Sequence, residues 1–160
     1  MSQAPIDSMK PKVLIVDDIP SNLGLICQTL EAENYNIFVA HNGNMALASV
    51  HRNAPDLIIL DIMMPGQSGL DFTNENKKKI NTPIILLTAK GEPSERIEGL
   101  EIGADDYLAK PFEPKELILR IKNILEKTKS KNQRRVVSFS NINIDLNKLL
   151  IINKKQEYKI

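Results

Sequence analysis

Residues 56–69 read DLIILDIMMPGQSG, and the order of their parts decides the fold. An apolar run, Leu57–Leu60, ends on the carboxylate of Asp61 and passes into a loop rich in Pro and Gly. The same arrangement recurs in KVLIVDD at 12–18, PIILLTA at 83–89 and YLAKPF at 107–112. Short runs of Val, Ile and Leu that alternate with helical patterns predict buried strands of a parallel sheet. In such sheets ligands bind in the crevice beyond the carboxyl ends of the strands. Asp17, Asp18, Asp61, Thr88 and Lys110 then converge on one pocket. Three buried anions repel one another unless a cation joins them. The set suits a hard divalent metal with oxygen ligands, and an aspartate that accepts a phosphoryl group.

Outward from these strands, the chain reads as five β–α units. Strands are expected over 13–16, 36–40, 56–60, 83–87 and 106–109, with helices over 21–33, 45–51, 70–79, 92–102 and 114–126. Leu23, Ile26, Cys27 and Leu30 give the first helix its inward stripe, and Leu117, Ile118, Ile121, Ile124 and Leu125 do so for the last. The third helix is the poorest. Thr73, Asn74 and Asn76 stand where apolar residues belong, so a short, weakly packed helix is expected. Gly103 is placed to end the fourth. Residues 1–10 are expected to be disordered, and 11–128 form the first domain. Residues 129–135 would be a polar, basic linker. Then VVSFS, NINIDL, LLIINK and QEYKI, within 136–160, read as a small antiparallel meander. Four such strands are marginal alone and want a partner layer.

Composition narrows the function classes. A single cysteine, Cys27, excludes a disulfide framework and fits a reducing compartment; its helical position makes it a small buried hydrophobe. No apolar stretch approaches the roughly 20 residues needed to cross a bilayer. The opening MSQAPIDSMKP lacks the basic-then-apolar layout of a secretory signal, so a cytoplasmic chain without membrane partners is expected. A net charge of +1 hides an asymmetry. Residues 1–121 hold 11 Lys/Arg against 17 Asp/Glu, whereas 122–160 hold 10 against 3. Blocks of opposite sign suggest two functional parts, and a basic carboxy-terminal part also matches a nucleic-acid-binding module.

Taken together, VDD at 16–18, LDIMMPGQSG at 60–69, TA at 88–89 and GADDYLAKPF at 103–112 resemble a response-regulator receiver domain over about residues 12–127. That family is the phosphoacceptor half of two-component signalling. The resemblance implies an α/β, flavodoxin-like (βα)5 fold: a five-stranded parallel sheet with helices on both faces, here with a small antiparallel β appendage. It makes Asp61 the phosphoacceptor and a sensor histidine kinase the donor. Asp18 and Asp61 would ligate Mg²⁺ directly, with the backbone carbonyl of Met63, and Asp17 would act through water. Thr88 and Lys110 would contact phosphoryl oxygens, Tyr107 would be the switch aromatic, and Met63 and Lys90 would tune the lifetime. The Lys110–Pro111 bond would be cis. The product would be a phosphoacceptor switch with slow self-dephosphorylation rather than an enzyme.

The last 25 or so residues, 136–160, resemble the amino-terminal sheet of the winged-helix effector of OmpR/PhoB-type regulators. The reading helix of that family would lie beyond Ile160, so a truncated chain, a fragment or a decayed gene is expected. DNA would then be a partner only of a full-length protein. OmpR/PhoB-type receivers also form a two-fold dimer on phosphorylation, through the fourth helix, fifth strand and last helix. Here that face would hold Arg96, Asp105, Asp106, Glu116, Arg120 and Lys122, with Arg96–Glu116 and Asp106–Arg120 pairs across the axis. The alternative is a solvated face with pairs inside one chain.

Other readings compete. Asp18-Ile19-Pro20-Ser21-Asn22 resembles the VDD-x-P-x-N opening of receivers with other outputs, such as a cyclic-dinucleotide enzyme or a protein-interaction switch. An aspartyl phosphatase carries a second Asp two residues after its nucleophile; Asp61 is followed by Ile62 and Met63. His41 and His51 show no acidic partner pattern and read as surface histidines.

Overall fold

The computed structural model of the chain describes residues 10–89 and 93–133, together with the backbone of four strands between 136 and 159. The chain divides into two units, Met1–Ile121 and Lys122–Ile160. In the first, β1 (Lys12–Val16), β2 (Asn36–Ala40), β3 (Leu57–Asp61), β4 (Ile84–Ala89) and β5 (Asp106–Lys110) form one sheet in the order β2-β1-β3-β4-β5. Every pairing is parallel. The helices between them are α1 (Pro20–Ala32), α2 (Gly43–Asn53), α3 (Gly69–Asn76) and α4 (Pro93–Glu101), and α5 (Pro114–Gln133) follows β5.

The three central strands are apolar because both faces are covered. Leu14, Val16, Ile58, Leu60, Ile84 and Leu86 share a cluster with Ala46 of α2 and Phe72 of α3. The alternate residues Val13, Ile15, Ile59, Ile85 and Leu87 point to the other face and are equally buried. Leu23, Ile26 and Leu30 of α1 and Leu117, Ile118 and Ile121 of α5 are buried as well. With right-handed crossovers, this strand order puts α1 and α5 on one face and the remaining helices on the other.

Local chemistry explains the helix limits. Pro20 occupies the first turn of α1, where a missing N–H costs nothing. Asn42 caps α2, its side-chain oxygen accepting from the Met45 amide at 2.9 Å. α3 is short, as expected, but it is firmly packed. Ser68 and Asp71 close a reciprocal capping box, and Phe72 is 1% exposed. Buried Thr73 and Asn76 satisfy themselves on carbonyls of their own helix, Gly69 at 2.8 Å and Phe72 at 2.9 Å. Two further expectations are corrected. Cys27 is only half-buried. α5 runs to Gln133, so residues 129–133 of the expected linker are helical.

In the second unit the strands β6 (Val136–Phe139), β7 (Ile142–Asp145), β8 (Leu150–Asn153) and β9 (Gln156–Lys159) pair in sequence order, each antiparallel to the next. These are the four segments expected as a meander. Of residues 1–10, expected to be disordered, 1–9 lie outside the described residues, and so do the side chains beyond Lys131.

Candidate functional site

The chain leaves β1 toward β2 and leaves β3 toward β4, in opposite directions along the sheet. The crevice at the carboxyl ends of β1 and β3 is therefore the switch point, where doubly wound sheets bind ligands. Asp17 follows β1 directly, with its amide bonded to the Ala40 carbonyl of β2 at 3.2 Å. Asp61 is the last residue of β3, Thr88 lies in β4 opposite Ala109, and Lys110 ends β5. Gly69 keeps the loop after β3 close, because a Cβ there would collide with the backbone of Asp61 and Ile62.

Four of the five strand-end residues meet. Carboxylate oxygens of Asp17, Asp18 and Asp61 lie within 4.8 Å of one another. The Lys110 ammonium stands between two of them, 3.2 Å from Asp17 Oδ2 and 3.3 Å from Asp61 Oδ2. The peptide bond after Lys110 is cis. Asp17 is held on both oxygens: Oδ1 accepts from the Ile19 amide at 2.9 Å, and Oδ2 from the Asn22 side chain at 3.1 Å. Asp61 Oδ1 accepts from the Met63 amide at 3.2 Å. The Met63 side chain is exposed.

Electrostatically the site is short of positive charge. Burial pushes the Asp61 carboxyl above the usual carboxylate range; Lys110 pulls it down, and Asp17 pushes it up again. Asp18 Oδ1 is buried with no hydrogen-bond partner among the described residues. An orphaned carboxylate oxygen beside two other carboxylates has the chemistry of a cation-binding donor set. All-oxygen donors of this charge fit Mg²⁺, with Asp17, Asp18 and Asp61 as the residues able to hold it.

Thr88 is fully buried, and its hydroxyl donates to Glu95 Oε2 of α4 at 2.8 Å. Glu95 carried no signal in the sequence, where an acidic residue in a helix's first turn is explained by the helix dipole alone. Tyr107 is partly buried against the core and borders a shallow hollow with Arg96, Leu100, Glu116 and Arg120. Of the other charged residues of that face, Arg120 pairs within the chain, with Asp106 at 2.9 Å and Glu116 at 2.9 Å. Asp105 turns to the start of β4, accepting from the Ile84 amide and from Lys77 Nζ, both at 2.8 Å. Among the described residues Arg96 has no ion-pair partner. Lys90 lies outside the described residues.

Comparison with known proteins agrees with this architecture. The model of the response regulator receiver domain family matches residues 13–122. The transcriptional regulatory protein ResD of Bacillus subtilis is 42% identical over 141 residues, which cover 84% of this chain and 59% of ResD. The transcriptional regulatory protein BaeR of Escherichia coli is 41% identical over 133 residues, covering 83% of this chain and 55% of BaeR. The chain thus spans less than two thirds of the length of these curated relatives. Among solved structures, the receiver domain of the Francisella response regulator 1452 superposes with a TM-score of 0.70 at 38% identity, covering 74% of this chain and 99% of that one. Among the described residues no helix is long and apolar enough to cross a membrane.

Proposed function

The chain belongs to the response-regulator receiver family of two-component systems, phosphoacceptor switches rather than enzymes in the ordinary sense, and from that membership we propose that Asp61 accepts a phosphoryl group from a sensor histidine kinase. One observation carries the assignment: three carboxylates within 4.8 Å, one oxygen orphaned and buried, with the Lys110 ammonium bridging two of them. An isolated surface carboxylate has no reason to be built this way.

In the proposed reaction a carboxylate oxygen of Asp61 attacks phosphorus, the P–N bond of the phosphohistidine breaks, and the imidazole leaves. When bound by Asp18, Asp61 and the Met63 carbonyl, with Asp17 acting through water, Mg²⁺ supplies the charge neutralisation that phosphoryl transfer needs. Lys110 exchanges a carboxylate partner for a phosphoryl oxygen, and the Thr88 hydroxyl donates a hydrogen bond to another. Asn22 and the Ile19 amide hold Asp17 in place meanwhile. Water later attacks phosphorus, the bond to the Asp61 oxygen breaks, and inorganic phosphate leaves with the carboxylate restored; the step is slow because Asp61 has no general acid two residues on.

The output follows from Thr88. Its inward movement vacates space for Tyr107 to turn in, which reshapes the face of α4, β5 and α5 and favours a two-fold dimer. The domain assignment is a receiver over 11–128, joined to residues 136–160 as the opening sheet of a winged-helix effector of the OmpR/PhoB type. Transcription control is the proposed role of the full-length cytoplasmic protein. Phosphorylation of the wild type and Asp61→Asn with acetyl phosphate and Mg²⁺, read by intact mass, tests the central claim. A phosphoryl adduct on the wild type alone is expected, and equal labelling of both proteins removes Asp61 from its role.

A further inference from the structure

The Thr88 hydroxyl is already in use. It is fully buried on β4 and donates at 2.8 Å to a carboxylate oxygen of Glu95, in the first turn of α4. A threonine hydroxyl owns one proton and serves one acceptor well at a time. The other acceptor within reach is the neutral Ala89 carbonyl at 3.2 Å. A carboxylate makes the stronger, charge-assisted bond, so Glu95 is the favoured acceptor. Among the described residues no lysine or arginine neutralises Glu95. Its side chain also borders the hollow formed by Asp18, Ile62 and Met63. A second negative charge therefore stands beside the hollow that Asp18 lines.

An arriving phosphoryl group needs that same proton, and both demands cannot be met together. We propose that Glu95 is a positioning residue for phosphoryl acceptance: it holds the Thr88 hydroxyl in reserve, and it is released with the start of α4 when a phosphoryl oxygen becomes the acceptor of that hydroxyl's hydrogen bond. The inference rests on Asp61 as phosphoacceptor. It adds a threshold to that site, because each acceptance event must first break the Thr88–Glu95 bond. It also adds a mechanical link, since the bond joins the site to the helix whose face changes.

Titration calorimetry of beryllofluoride at saturating Mg²⁺ tests this on the whole chain, with wild type, E95A, E95Q, T88V, E95A/T88V and D61N. Losing one net hydrogen bond from the resting state makes E95A bind about fivefold tighter than wild type. E95Q keeps an acceptor without the charge and falls between the two. On the T88V background the E95A change shrinks to within about twofold, because the coupling has lost its hydroxyl. Unchanged or weaker binding by both Glu95 variants overturns the proposal. So does an E95A gain of equal size with and without the hydroxyl, which reports charge repulsion alone. The D61N arm judges the underlying assignment separately. Binding to wild type and not to D61N upholds Asp61 whatever Glu95 does, and equal binding to both removes the assignment and this inference with it.

Discussion

Asp61 stands under opposed demands, and its titration exposes them. Burial raises its carboxyl above the ordinary range, Lys110 lowers it, and Asp17 raises it again, with the net shift upward. A folded-state value above the unfolded one contributes stability below the unfolded value, about 3.9, and loses it as pH rises through the folded value. At neutral pH, ionised Asp61 therefore costs the metal-free protein stability. Asp61→Asn is expected to raise the melting midpoint in chelator at pH 7 by about 2–4 °C, the response to roughly 1 kcal/mol in a chain of this size. The gain should vanish as the buffer approaches about pH 4, where the wild-type carboxyl is protonated as well. Added Mg²⁺ should then stabilise wild type and leave the variant unmoved. A variant that melts below wild type in chelator at neutral pH contradicts the sign. Asp17, Asp18, Asp61 and Lys110 were legible in the sequence because each ends a buried apolar run, and a parallel sheet aligns such ends. Glu95 was not, since its role comes from the approach of a helix's first turn to β4, which leaves no local pattern. Asp105 is the converse case: its charge suggested a partner surface, whereas its carboxylate ties Lys77 and the Ile84 amide together.

α3 shows at the scale of one element why periodicity misjudged packing. Thr73 and Asn76 interrupt the apolar stripe, yet both are buried because each bonds a carbonyl four residues back in the same helix. A polar group satisfied within its own helix can enter the core at small cost. The helix is anchored at its start by Ser68 and Asp71, and its second residue in the core, Phe72, is fully covered. Ser68→Ala removes the cap and should cost about 1 kcal/mol, read as a lower urea midpoint with an unchanged slope. Gly69→Ala should cost more, about 2–3 kcal/mol, because the new methyl meets backbone and not a side chain that can swing away. The two variants should differ in kind as well. Gly69 packs on the Asp61 and Ile62 backbone, so its substitution should weaken Mg²⁺ binding, which the cap variant should leave intact. Equal Mg²⁺ affinity in both would separate α3 from the site. α5 carries the same lesson in reverse. Its polar end, with Lys129 and Lys131, looks like a linker in sequence. Lysine and glutamine are good helix formers, however, and cations near a helix carboxyl terminus are favoured by its dipole, so the helix continues to Gln133.

For the whole molecule the open quantity is what the face of α4, β5 and α5 does once Asp61 is occupied. Arg120 holds Asp106 and Glu116 of its own chain, each at 2.9 Å. These are two of the groups expected to pair across a two-fold axis. The internal pairs are half-exposed, and such pairs typically contribute about 0–1 kcal/mol, so exchanging them for pairs with a second copy costs little. The apolar component is already displayed: Ile97 and Leu100 on α4 and Leu119 on α5 are 59%, 48% and 52% exposed. Burial of such side chains supplies the drive for association, and the charges supply register. Three outcomes follow from that division of labour. Sedimentation velocity with beryllofluoride and Mg²⁺ should show a dimer at tens of micromolar, and none in their absence. Arg120→Ala should weaken that dimer about tenfold by leaving two carboxylates unpaired in the contact. Raising salt to about 0.5 M should weaken the wild-type dimer more than the Arg120→Ala dimer, because the Asp106–Arg120 pairs are gone from the variant and only the Arg96–Glu116 pairs remain to be screened. A wild type that stays monomeric with beryllofluoride bound assigns these charges to intramolecular pairing alone. In that case Arg120 acts as a brace between β5 and α5, and its removal should lower the melting midpoint without changing any association.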